Sequence, residues 1–220
     1  MESKSLLTKA CVAAAFGLFS MQASAIVMPT ETLMYNIDGE NDCNGYFGTP
    51  DINGFGGCNI RVPETGERLS PVIAKIDVDD EGVETSRDLN TGIFPSITGD
   101  EFTITYGDDT SYGTWSYDGA EAPDPNVRYW VAKGGNGFNL FWTVDASATM
   151  AGGACDGAIF TNECLAEAKN VFSGEWYTPG GEGLSHLTFY DTGEVPVPAA
   201  VWLFGSGLLG LVGVARRRQA

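Results

Sequence analysis

The chain has 220 residues, of which 12 are basic and 29 acidic, for a net charge of −17. A charge of that sign repels nucleic acid and anionic lipid and attracts cations, so the expected partners include no nucleic acid. The length suits one domain with a real core and is short for two.

At the N-terminus, Lys4 and Lys9 accompany an apolar run over 10–19, and Ala23-Ser24-Ala25 supplies the small residues of a signal-peptidase site. That succession of charged start, apolar run and A-x-A motif predicts a signal peptide over 1–25, cleaved after Ala25, and export through the inner membrane. The domain expected over 26–194 holds 7 basic and 28 acidic residues, a net of −21.

Of the five cysteines, Cys11 would leave with the signal peptide, and Cys43, Cys58, Cys155 and Cys164 remain. An even number fits an oxidising compartment. Three connectivities are open, and the clustering favours the local pairs Cys43-Cys58 and Cys155-Cys164, each closing a Gly-rich loop poor in apolar residues. Zinc is disfavoured, because there is no C-x-x-C spacing and the only histidine lies elsewhere.

The body reads as strands separated by Gly, Asp, Asn and Pro. Val72, Ala74, Ile76 and Val78 alternate with Ile73, Lys75 and Asp77; Phe102, Ile104 and Tyr106 alternate with threonines; Phe138, Leu140, Trp142 and Val144 alternate with Asn139, Phe141 and Thr143. Period two implies one buried face. Gly134-Gly135-Asn136-Gly137 between 127–133 and 138–144 predicts a hairpin with a four-residue connection at the centre of a sheet. Further strands are expected over 33–37, 58–62, 112–117, 172–177 and 185–190, with one short helix over 162–170. The predicted fold is all-β, a disulfide-stapled β-sandwich of jelly-roll type.

Three features raise the question of chemistry. Asp77, Asp79 and Glu81 alternate ahead of Gly82, with Asp88 at the twelfth position, which resembles an EF-hand-like calcium loop; calcium takes six to eight hard oxygens around a sharp turn. The other reading is a solvated acidic hairpin turn, and the acidic residues at 38–42 and 108–109 are read as turn chemistry. His186, the only histidine, is placed by alternation beside Thr188 on the face opposite Leu187 and Phe189, so Ser185 next to it forms no dyad. Tyr112, Trp115, Tyr117, Tyr129, Trp130 and Trp142 lie on predicted strands, where they either fill the core or present a platform for sugar rings. Alternation points Trp142 inward and leaves Trp130 open.

The chain ends in VPVPAAVWLFGSGLLGLVGVARRRQA. Val195, Pro196, Val197 and Pro198 make a rigid extended segment that a peptidase can reach. The uncharged stretch over 199–215 is long enough as a helix to cross the short end of bilayer thickness. Arg216, Arg217 and Arg218 would hold the C-terminus in the cytoplasm. Pro motif, apolar span and Arg cluster, in that order at the end of the chain, resemble the PEP-CTERM sorting signal, with Val197 where the namesake tripeptide has Glu. GLSHLTFYDTGEVPVPAAVWLF and, more loosely, YWVAKGGNGFNLFWTVD also resemble PEP-CTERM proteins. An ordinary tail anchor shares the charge asymmetry, and only the Pro motif separates the two.

The resemblance implies transient anchorage in the inner membrane, processing by exosortase after signal peptidase, and delivery to the cell surface or an exopolysaccharide-rich extracellular matrix. The expectation is therefore a structural surface or matrix protein without enzymatic activity. The alternatives are a calcium-assisted carbohydrate-binding module and a surface hydrolase.

Overall fold

The alternating stretches become strands, paired antiparallel throughout the described residues. A computed structural model of the protein describes residues 29–48, 57–61, 68–119 and 124–191. The Ala25 cleavage site, the Pro motif at 195–198, the apolar span 199–215 and Arg216 to Arg218 lie outside these residues. Among the described residues, no helix is long and apolar enough to cross a membrane.

The elements in order are β1 (Thr30–Asp38), β2 (Asn59–Arg61), β3 (Arg68–Val78), β4 (Glu84–Leu89), β5 (Phe102–Tyr106), β6 (Tyr112–Tyr117), β7 (Val127–Gly134), β8 (Gly137–Asp145), α1 (Ala146–Thr149), α2 (Asn162–Ala166), β9 (Ser173–Tyr177) and β10 (Leu184–Asp191). They form two sheets of unequal size. The larger has seven strands in the order β1-β8-β7-β10-β3-β2, with β4 also on β3; the smaller is β5-β6-β9. The fold is thus all-β, with both cysteine pairs closed as expected: Cys43–Cys58 and Cys155–Cys164, at Cα separations of 5.3 and 4.7 Å.

The β7–β8 hairpin does lie inside the large sheet. Its connection is tighter than the sequence suggests, because Gly134 and Gly137 pair across the strands and leave a two-residue turn with Gly135 at φ 54°. Gly fits there because it carries no Cβ to oppose positive φ.

One expectation needs correction in kind. Alternation implied a single buried face, yet nearly every residue of β7 and β8 is buried. The small sheet covers one face of the large sheet, where Trp115 meets Trp130 edge-on at 5.3 Å and Phe189 at 5.1 Å, and Phe102 stacks on Phe189 at 4.4 Å. The disulfide loops and α2 cover the other face, packing Phe47, Cys58, Cys164 and Leu165 against Tyr129, Leu140, Trp142 and Tyr190. Fully burying a large apolar side chain contributes about 1.5–3 kcal/mol, so a sheet covered twice gains from both sets of alternating positions.

The remaining departures are local. α2 is shorter than the predicted 162–170, because beyond it Lys169 N–H donates to Thr143 O at 2.8 Å and Val171 bridges to Val127, which pulls the chain onto the sheet. Thr161 caps its start, Oγ1 accepting from Cys164 N at 3.2 Å. β4 was not expected, since ETSRDL lacks apolar alternation; it is held by pairing with β3 from Ala74↔Leu89 to Val78↔Glu84.

Candidate functional site

The acidic stretch at the β3–β4 connection is a capped hairpin turn. Asp79 Oδ1 accepts from Glu81 N at 3.1 Å and Val83 N at 2.8 Å, and Gly82, at φ 77°, closes the turn onto Asp79 O at 2.9 Å. Asp77 pairs with Lys75 and accepts from Ser86 Oγ at 3.0 Å. Glu81 is exposed, and Asp88 is exposed on β4 opposite Lys75. Asp77, Asp79, Glu81 and Asp88 are therefore not gathered around a common point, and among the described residues no group of three or more His, Cys, Asp or Glu side chains is arranged to hold a metal. Asp79 thus caps the turn's own N–H groups and Asp77 faces Lys75 and Ser86, the contacts of an acidic hairpin turn.

His186 does lie on the face opposite Leu187 and Phe189, and it is deeply enclosed. The correction concerns Asp42, read from sequence as part of a turn. It is fully buried and collects three side chains of β10: His186 Nε2 stands 2.7 Å from Oδ1, while Thr188 Oγ1 and Tyr190 OH donate to Oδ2 at 2.6 and 3.3 Å. Burial alone would raise the Asp42 carboxyl, but His186 and the hydrogen bonds from His186, Thr188 and Cys43 N–H outweigh it, and its pKa lies below the ordinary 3.8. The Tyr190 hydroxyl is pushed well above 10 by burial and by the Asp42 charge, and it lies 3.8 and 3.7 Å from the Cys43 and Cys58 sulfurs. The other ring nitrogen of His186 faces Asp77 at 3.8 Å. With Thr188 donating to Asp42 and a carboxylate on each side of the ring, this is an anchoring network rather than a nucleophile with its base.

Of the six aromatic residues considered for a platform, Trp115, Tyr117, Tyr129, Trp130 and Trp142 are buried and only Tyr112 is exposed. Trp142 points inward as expected, and Trp130 lies between the sheets.

The small sheet nonetheless carries a distinctive outer face. Thr105, Thr114 and Glu175 form one row across its three strands; Thr103, Ser116 and Ser173 form a second, and Tyr112 with Tyr177 a third. All eight are exposed. Two depressions, of about 600 and 320 Å³, open here and share Thr105, Thr114, Glu175 and Tyr177; the larger runs past β9 to Thr32 and Met34 on β1.

Trp115 also lines the larger depression while being only 2% exposed. Among the buried tryptophans, Trp130 Nε1 donates to Glu175 O at 2.9 Å and Trp176 Nε1 to Thr114 O at 3.2 Å. The Nε1–H groups of Trp115 and Trp142 meet no acceptor among the described residues, and only Trp115 borders this groove. Beside it, Gly174 packs so closely that a Cβ there would meet both Trp115 Nε1 and Trp130 Cζ2 at 2.8 Å, so only glycine fits. Sequence reasoning passed over the face because its residues are the polar half of each alternation, which reads as a solvent face. The pattern Thr103/Thr105, Thr114/Ser116, Ser173/Glu175/Tyr177 was the available signal.

No family model matches the chain, and no match to it is found among the curated proteins or the solved structures.

Proposed function

We propose that this is an exported structural protein of the cell surface or extracellular matrix, delivered by a PEP-CTERM-like tail and processed by exosortase. The observation that supports this most is the pair of closed disulfides. Their four cysteines are buried in the core against the large sheet, an arrangement that lasts where thiols are kept oxidised. The terminal motifs supply the rest of the reading: a signal segment ending at Ala25, then Pro196 and Pro198 ahead of the apolar span and Arg216 to Arg218. Export places the domain outside the inner membrane, the basic end keeps the tail's last residues inside, and cleavage near the Pro motif frees the domain.

The experiment is a deletion of residues 195–220 in the native host, followed by fractionation. The proposal expects the shortened chain to leave the surface and matrix fractions and collect in the periplasm. Unchanged surface delivery would remove the tail from the account.

A further inference from the structure

We propose that the open edge of β1 is a dimerisation surface, on which β1 of a second copy of this chain adds antiparallel and joins the two large sheets into one. The inference goes beyond the surface-protein reading and does not depend on it.

The ladder shows which backbone groups of β1 are open. Gly39 N–H donates to Asn136 O at 2.6 Å and Ala146 N–H to Pro29 O at 2.8 Å, and each bond extends the β1–β8 register by one residue. Odd-numbered residues therefore turn their N–H and C=O to β8, while Thr30, Thr32, Met34, Asn36 and Asp38 turn theirs outward. β1 ends the large sheet, and these outward groups meet no partner among the described residues.

The other sheet edges among the described residues are blunted. β2 has three residues, and β4 carries Glu84, Arg87 and Asp88. β5 has five residues, and Arg87 takes its Phe102 O at 3.3 Å. On β9, Trp130 Nε1 occupies Glu175 O at 2.9 Å and Asn139 Nδ2 occupies Tyr177 O at 2.8 Å. By contrast, β1 runs for nine residues against β8 without a bulge and holds no Lys, Arg or Pro. An edge of that kind is a template for a further strand, and the usual devices that prevent such pairing are missing from it.

The strand is complementary to itself, which identifies the occupant. The antiparallel register that overlaps all nine residues places Met34 on a two-fold axis. It sets Thr30 against Asp38 and Thr32 against Asn36 as hydrogen-bonded pairs, so every outward group on both copies is used. No like charges face each other: Glu31 lies opposite Ile37, and Asp38 opposite Thr30. Leu33 comes opposite Tyr35, whose ring is 38% exposed in the single chain, and this apolar cross-strand pair is made twice. A shift of one residue would flip every side chain to the other face, and longer shifts lose pairs.

The test is sedimentation equilibrium of the full chain in density-matched detergent, combined with cysteine cross-linking. The expected result is a reversible dimer that tightens as salt rises from about 0.02 to 0.3 M, because screening weakens the repulsion between two chains of net charge −17. Thr32→Pro removes an outward N–H at an exposed position and leaves the β8 ladder intact. It weakens dimerisation about tenfold or more, and a thermal melt confirms that the variant folds. Association through residues 199–215 would survive that change. Met34→Cys brings two Cα atoms to about 5.5 Å across the axis, within disulfide reach, so mild oxidant cross-links the copies. Thr30→Cys, whose two copies lie about 27 Å apart, does not cross-link. A monomeric parent overturns the proposal and leaves the edge to a strand of another protein. So does a folded Thr32→Pro that dimerises like the parent, or Met34→Cys cross-linking no faster than Thr30→Cys. If Thr32→Pro does not fold, the two cysteine variants decide alone.

Discussion

Asp42 and His186, 144 residues apart in the chain, meet at 2.7 Å in the interior. One belongs to the loop after β1 and the other to β10, so the contact fixes that loop onto the large sheet. The next residue, Cys43, ties the same loop to Cys58 beside β2. A covalent and a hydrogen-bonded constraint thus act on adjacent residues, and Tyr190 touches both.

Asp42→Ala strands the buried donors of His186, Thr188 and Tyr190. Breaking a buried pair by removing one partner costs about 3–5 kcal/mol, and urea unfolding of the variant should show a loss of that size with an unchanged slope. A loss below about 1 kcal/mol, the level of an exposed pair, would mean that the network adds little to the fold.

The same carboxylate sets an acid limit. Its folded-state pKa lies below 3.8, so the stability it contributes is complete above that value and is lost as pH falls through the lower folded value. Urea midpoints measured from pH 7 to about 2.5 should fall at the acid end in the parent, and fall less steeply in Asp42→Asn, which has no such proton to take up. Glu101 and Asp109 are also held low and titrate in both proteins, so the difference between them isolates Asp42. Identical profiles would contradict the assignment.

Thiol labelling of the unreduced, unfolded chain should find none of Cys43, Cys58, Cys155 and Cys164 free. Closing loops with sequence separations of 15 and 9 residues contributes about 3 and 2.6 kcal/mol in the chain-entropy model, so reduction should lower the melting temperature by several degrees for each bridge. Labelling of all four before reduction would remove the oxidising-compartment argument.

How much of this was legible follows from where each signal resides. The two disulfides and the β7–β8 hairpin could be read locally, because cysteine clustering and Gly135-Asn136 encode short-range closure. The burial of both faces of the large sheet could not, since alternation in Asn139 and Thr143 looks like a solvent face until the covering sheet is known. Those two residues are 2% and 8% exposed, and Asn139 Nδ2 is satisfied by Tyr177 O at 2.8 Å, a partner that only the tertiary fold supplies. Asp42 was misread for the same reason: a turn aspartate and a buried anchor have the same local sequence. At the acidic stretch Asp77–Asp79–Glu81–Asp88, spacing left a calcium loop and a hairpin turn both open, and only the fold shows Asp77 on Lys75 and Asp79 on its own turn.

Asp79 therefore carries a local prediction. Asp79→Ala removes two turn hydrogen bonds at an exposed site, and should cost about 1 kcal/mol. The parent's melting temperature in ~0.15 M salt should be the same with calcium as with chelator. A calcium-specific rise, abolished by Asp79→Asn, would restore the metal loop.

The central claim, export followed by removal of the sorting tail, is tested most directly by intact-mass analysis of the protein recovered from the native cell surface. The account predicts a chain beginning at Ile26 and ending near Pro196 to Pro198, four hydrogens lighter than the reduced sequence for its two disulfides. A surface pool still carrying Arg216, Arg217 and Arg218 would contradict it and leave a tail-anchored membrane protein in its place.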